Sequence, residues 1–156
     1  MSVEGAALEI VRELTFRAAL GDTYQIGGAP AGGRTVGTVG EGWVKGDRIN
    51  GTLVGPGADW ALLGADGYVQ IDVRAQIRTD DGALLYLRYE GSLELNEASM
   101  GALLSDGETG FGDSYWFTHV RIESGAEQYQ WVNRTMFVGQ GRAVPDGIEY
   151  EIYRLA

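Results

Sequence analysis

From Tyr68 to Arg78 the chain alternates without an error, Val69, Ile71, Val73, Ala75 and Ile77 interleaving with Gln70, Asp72, Arg74, Gln76 and Arg78. A strand sends successive side chains to opposite faces, whereas a helix would scatter both sets around its circumference, so this segment is restricted to a half-buried β-strand. Asp80, Asp81 and Gly82 then supply a tight turn, and Ala83 to Leu95 returns with Leu85, Leu87 and Tyr89 on one side and Tyr86, Arg88 and Glu90 on the other. Such a hairpin has one apolar face, which must be covered by more sheet.

The rest of the chain supplies that sheet. Gly occurs 25 times and Pro 3 times, punctuation that suits turns and bulges better than long helices. Further strands are predicted at Leu8 to Ala19, turned back at Gly21 and Asp22 toward Tyr24 to Ile26, and at Thr35 to Lys45, Ile49 to Val54 and Asp59 to Leu63. Tyr115 to Glu123, Tyr129 to Val138 and Ile148 to Leu155 follow, about ten strands in all. Only Asn96 to Leu104 reads as helical, with Asn96 as its N-cap, inside a Gly-rich acidic connection that reaches Asp113. Strands this long favour a coiled sheet that closes into an antiparallel barrel; a two-sheet sandwich is the rival. We find no linker or repeat, so all 156 residues are expected to form a single all-β barrel domain.

Composition removes several kinds of chemistry. With 22 acidic against 12 Lys or Arg side chains the formal net charge is −10, which argues against nucleic acid as a partner. There is no Cys and one His, so thiolate chemistry and a two-histidine metal centre are both excluded, and no metal is expected. No run approaches the ~18 apolar residues of a membrane helix. The start, MSVEGAALEIVRE, lacks a basic segment followed by an apolar one. The expectation is a cytoplasmic protein without a membrane partner. Gly27 to Gly33 and Gly37 to Gly42 are Gly-rich, but no phosphate-loop, GxSxG or HExxH motif is present, and no cofactor is expected.

Three segments occur in an order that is similar to a known family: GGR at Gly32 to Arg34, GPGADW at Gly55 to Trp60, and IDVRAQIRTDDGALLYLRYEG at Ile71 to Gly91. YWFT at Tyr115 to Thr118 and YQWVNRTMFVGQGR at Tyr129 to Arg142 agree, and together they resemble domain of unknown function 3237 from about Ala31 to the end. The resemblance implies a compact all-β barrel of bacterial and fungal proteins, and it names no cofactor. Its polar and aromatic positions fall on Arg34, Asp59, Trp60, Asp72, Arg74, Thr79, Asp80, Trp131 and Asn133. Two departures stand out: Phe117 replaces an expected Arg, and Ala75 replaces an aromatic residue.

Asp72 and Arg74 lie two apart and so share a face; if that face lines the barrel, Asp72 is placed to move a proton and Arg74 to stabilise negative charge. The alternative is a solvated polar stripe of weak ion pairs. Asp59 and Trp60 follow a Gly-rich loop and suggest a carboxylate beside an aromatic floor, or else a turn acid beside a core Trp. Asp80 and Asp81 suit a hairpin turn better than a paired-carboxylate site. His119 is placed as a base beside aromatic walls or as a plain strand residue, and Tyr129, Trp131, Asn133, Thr135 and Phe137 form a pocket wall or an ordinary core.

The functional expectation is a barrel that binds a small apolar or aromatic metabolite between Trp60, Trp116 and Trp131, with Arg34, Tyr86, His119 and Asn133 as further contacts. Catalysis, where present, would be cofactor-free acid and base work by Asp59, Asp72 and Arg74: isomerisation, cyclisation, or loss or addition of water. The rival is a non-catalytic ligand carrier or a module that assembles as a homodimer.

Overall fold

The computed structural model describes residue 5 and residues 7–156. Eight antiparallel strands follow one another around a closed ring: β1 (Ile10–Ala29), β2 (Gly32–Gly46), β3 (Asn50–Leu63), β4 (Tyr68–Thr79), β5 (Leu84–Glu94), β6 (Trp116–Glu123), β7 (Phe137–Val144) and β8 (Gly147–Leu155). Closure comes from β1, whose first half pairs with β8 from Ile10↔Leu155 to Ala19↔Gly147 while Leu14 to Ala29 pair with β2. Every strand therefore has two neighbours, although beyond Ala19 β1 pairs with β2 alone.

Eight strands rather than ten result from two mergers, and a third predicted strand is displaced. The chain does not turn back at Gly21 and Asp22; β1 runs on through register shifts between Ala18 and Thr23. Ile49 to Val54 and Asp59 to Leu63 belong to one strand, β3, whose register with β4 shifts between Val54 and Ala58; there Gly55 takes φ +69°, a left-handed conformation that favours glycine. The segment predicted as a strand from Tyr129 instead forms a 3₁₀ helix, Glu127–Arg134, and β7 starts only at Phe137.

The barrel interior is the odd-numbered face of β4. Val73, Ala75 and Ile77 are at most 2% exposed and meet Leu85, Leu87 and Tyr89 from β5, Phe16 from β1 and Ile152 from β8. One end is closed by the 3₁₀ helix, which buries Tyr129 and Val132. Beside it Arg48 stacks 3.5 Å from the Trp131 ring centroid and takes both oxygens of buried Glu13 at 2.8 and 2.9 Å. At the other end lies α1 (Glu97–Ser105), capped by Asn96 as its sequence predicts. No helix among the described residues is long and apolar enough to cross a membrane.

Candidate functional site

The register places Asp59 inside the barrel. One inward row runs across five strand pairs, Gly37↔Asp59, Asp59↔Val73, Val73↔Tyr89, Tyr89↔Val120 and Val120↔Phe137. Directly paired residues share a face, and Val73, Tyr89 and Phe137 are all core. Asp59 is thus a carboxylate in an apolar wall. Its Oδ1 accepts the backbone N–H of Asp72 at 3.0 Å. Burial pushes its pKa up; the Asp72 N–H opposes that and the nearby Asp72 charge adds to it.

Around it stand buried aromatic rings. Tyr89 and Tyr150 lie 5.0 Å apart between centroids, with Phe16 at 5.9 and 6.2 Å and Trp116 edge-on to Tyr150 at 5.9 Å. Trp116 Nε1–H donates to Tyr150 Oη at 2.8 Å. The Trp116 ring fits because Gly141 has no side chain, since a Cβ there would fall 2.6 Å from Nε1. Burial raises both phenol pKa values and Asp59 adds to both, while the Trp116 hydrogen bond tempers only Tyr150.

Two features mark this interior as more than filler. The Thr118 hydroxyl is sealed from solvent without a hydrogen-bond partner, between cross-strand neighbours Gly91 and Gly139. Buried polar groups normally have partners, so this orphan is an exception. Beside Asp59, a Cβ built on Gly37 would meet no atom within 4 Å. The wall is open there. Open space beside a carboxyl whose pKa is raised by burial makes Asp59 the candidate for a functional group.

The other expected residues lie elsewhere. Asp72 and Arg74 do not look into the barrel: Ile71, Val73, Ala75 and Ile77 fill it, and strand parity turns the polar set outward. Asp72 faces Arg88 at 3.8 Å rather than Arg74. Tyr86 and His119 share that outer face, His119 with its side chain 72% exposed and Nε2 3.3 Å from Glu90. Trp60 also lies outside, with Arg34 Nη1 donating to its carbonyl at 2.7 Å. Of the three tryptophans expected to wall one pocket, only Trp116 is in the interior.

Trp131 and Asn133 belong to the 3₁₀ helix, so the shared strand face expected for Tyr129 through Phe137 does not form. Asn133 pins the β6 exit instead, accepting the Ser124 N–H and donating to its carbonyl, both at 2.9 Å. Tyr86 and Asn133 line one outer cleft of about 770 Å³, and Arg34, Trp60, Asp72 and His119 line another of about 440 Å³. Asp81 accepts from Tyr129 Oη at 2.9 Å and from Thr79, the turn chemistry its position suggests.

Tyr150, Thr118 and Gly37 carry no local signal of a site in the sequence. Tyr89 carries a weak one, by sharing parity with Leu85 and Leu87. Among the described residues no group of three or more His, Asp or Glu side chains is arranged to hold a metal ion.

The family model for the protein of unknown function DUF3237 matches residues 8–155. The chain belongs to the DUF3237 family. A UPF0311 protein of Rhodopseudomonas palustris is 27% identical over 149 residues, 95% of this chain and 97% of that protein. The crystal structure of a Rhodopseudomonas palustris protein superposes on this DUF3237 chain with TM-score 0.86 and 25% identity, covering 97% and 99% of the two chains. A β-barrel-like protein from Acinetobacter baumannii gives TM-score 0.83 at 24% identity, over 99% of this chain and 100% of the other. An enzyme from Penicillium herquei has the same DUF3237-type fold, with TM-score 0.73 and 17% identity over the whole of both chains.

Proposed function

We propose that the open recess beside Gly37 binds a small, largely apolar or aromatic molecule and that Asp59 exchanges a proton with it in a cofactor-free isomerisation, cyclisation, dehydration or hydration. The observation that carries this reading is the Asp59 carboxyl, inward-facing, raised in pKa by burial, and bordered by space a side chain would otherwise fill. A carboxyl whose pKa rises toward the working pH both gives and takes a proton readily. The Asp72 N–H fixes its Oδ1, and the other oxygen, Oδ2, is assigned the proton transfer. Tyr89 donates to a developing negative oxygen on the ligand.

In an isomerisation the proton leaves one ligand atom for Asp59 and returns to another, so no net proton or electron is consumed. The resemblance in fold to an enzyme supports a catalytic reading over a carrier. Thermal-shift screening against phenols, terpenoids and small lactones identifies the ligand class, since a ligand at 100 times its Kd stabilises the native state by roughly 2.7 kcal/mol. Wild-type protein then converts a bound compound to an isomer, or to a product differing by one water, and Asp59→Asn binds it without converting it. Binding with no conversion by the wild type leaves a carrier and removes Asp59 from any mechanism.

A further inference from the structure

β1 is 20 residues long, and its second half stands apart from the rest of the barrel wall. Pairing with β8 ends at Ala19↔Gly147, and the last bond to that side is the Leu20 N–H donating to the Asp146 carbonyl at 2.9 Å. From Gly21 to Ala29 the strand pairs with β2 alone, and among the described residues no backbone hydrogen bond reaches its other edge. All nine residues are exposed. They include Tyr24 and Ile26, 57% and 65% open to solvent, and Leu20 beside them is 49% open.

An uncovered edge is a template for another strand, and proteins that keep one free blunt it with Lys, Pro or inward-pointing charges. Gly21–Ala29 contains no Lys, Arg or Pro and one charged residue, Asp22, in a chain of net charge −10. Register shifts on either side of Thr23–Gln25 bend the strand without covering its edge.

The segment is complementary to itself. Turned antiparallel about Gln25, all nine residues find a partner in a second copy. Tyr24 then faces Ile26 of that copy and Ile26 faces its Tyr24, two aromatic–β-branched pairs of the kind that stabilise a sheet. Asp22 faces Gly28, so the two Asp22 carboxylates stand about 20 Å apart along the ladder, well beyond the screening length of about 8 Å at physiological salt. One charge in nine residues gives a charged partner little to recognise, whereas the segment's own copy matches it in length and in side chains.

We propose that two copies of this chain associate about a two-fold axis through Gln25, edge to edge along Gly21–Ala29 of β1. The contact borders the recess as well, since Thr23 pairs with Gly37, the neighbour of Asp59. The second copy thus extends the wall beyond Gly37, whatever the recess binds.

Sedimentation velocity of the 156-residue chain over a concentration series tests this, with circular dichroism and thermal unfolding as controls for the fold. Wild type sediments as a dimer that dissociates on dilution. Tyr24→Lys combined with Ile26→Lys sets like charges against each other twice and weakens the dimer at least about tenfold, and because both positions are exposed the thermal unfolding of the monomer is unchanged. Tyr24→Lys combined with Ile26→Glu sets opposite charges across the same two pairs and recovers at least about tenfold in dimer affinity over the double Lys variant, a rescue specific to the Gln25 register. Asp59→Asn dimerises as wild type does, so failure of the interface and failure of the interior reading are separate results. A wild type that is monomeric at every concentration or larger than a dimer, a double Lys variant that dimerises fully, or a Lys and Glu variant as dissociated as the double Lys one overturns the proposal.

Discussion

The carboxylate of Asp59 and the main chain of Asp72 are joined by a 3.0 Å hydrogen bond across the β3–β4 ladder, while their side chains leave the barrel wall on opposite faces. That bond orients the interior acid, and the outward Asp72 charge raises its pKa further. The interior and exterior chemistry of the barrel thus meet at one backbone amide.

Replacing Asp59 with Asn keeps the shape and the acceptor for the Asp72 N–H while removing a carboxylate that burial disfavours. At pH 7 the variant unfolds at higher denaturant, by roughly 0.5–2 kcal/mol, the gain usual when a functional group held at a cost is relieved. Chemical denaturation measures it. A less stable Asp59→Asn protein would mean that the ionised carboxylate is a net structural asset.

The same raised pKa sets a sign for pH dependence. The folded chain holds the Asp59 proton to higher pH than the unfolded chain, whose value is the ordinary 3.8. In that window the native state binds more protons, so this contribution to stability is full below pH 3.8 and declines until the native pKa is passed. Unfolding free energy of wild type minus Asp59→Asn, measured across pH, therefore falls with rising pH and then levels. A difference that rises or stays flat contradicts the assignment.

The packing around Trp116 is tight enough to test by single atoms. Gly141→Ala places a methyl 2.6 Å from the indole nitrogen and costs about 1–3 kcal/mol in overpacking. Tyr150→Phe strips the acceptor from a buried Trp116 N–H and costs about 1–3 kcal/mol. Both appear as lower thermal midpoints.

At the closed end, the Glu13 side chain is 4% exposed and held by Arg48 and Arg154. Glu13→Ala leaves two partly exposed guanidinium groups without their carboxylate and costs about 1–3 kcal/mol by urea titration, the range for losing hydrogen bonds to a charged group.

Much of the fold is legible because parity is a local property. Val69 through Ile77 and Leu85 through Tyr89 declare one buried face each, and Asn96 declares a helix start. Parity does not say which polar stripe is wet, so for Asp72 and Arg74, sound as neighbours on one face, the sequence leaves interior and solvent both open, and the structure fills the interior with Ile71, Val73 and Ala75 instead. Asp59 is legible as a candidate because it follows a Gly-rich bulge, but its inward direction depends on its register with Val73. Tyr129, Trp131 and Asn133 show the limit of a period of two over a short stretch: Asn133 folds its amide back on Ser124, and the segment closes as a 3₁₀ helix instead of extending. Tyr150 joins Asp59 only through barrel closure, which no local pattern encodes.

The most direct test of the interior site is to fill it. Gly37 sits opposite Asp59 in extended backbone, and a Cβ added to it would meet nothing within 4 Å, so Gly37→Val suits the strand and keeps the fold. Thermal shifts by the compounds that stabilise wild type should then vanish in Gly37→Val while its own unfolding temperature stays level or rises. Equal stabilisation of the two proteins by every such compound would place binding elsewhere and leave Asp59 without a substrate.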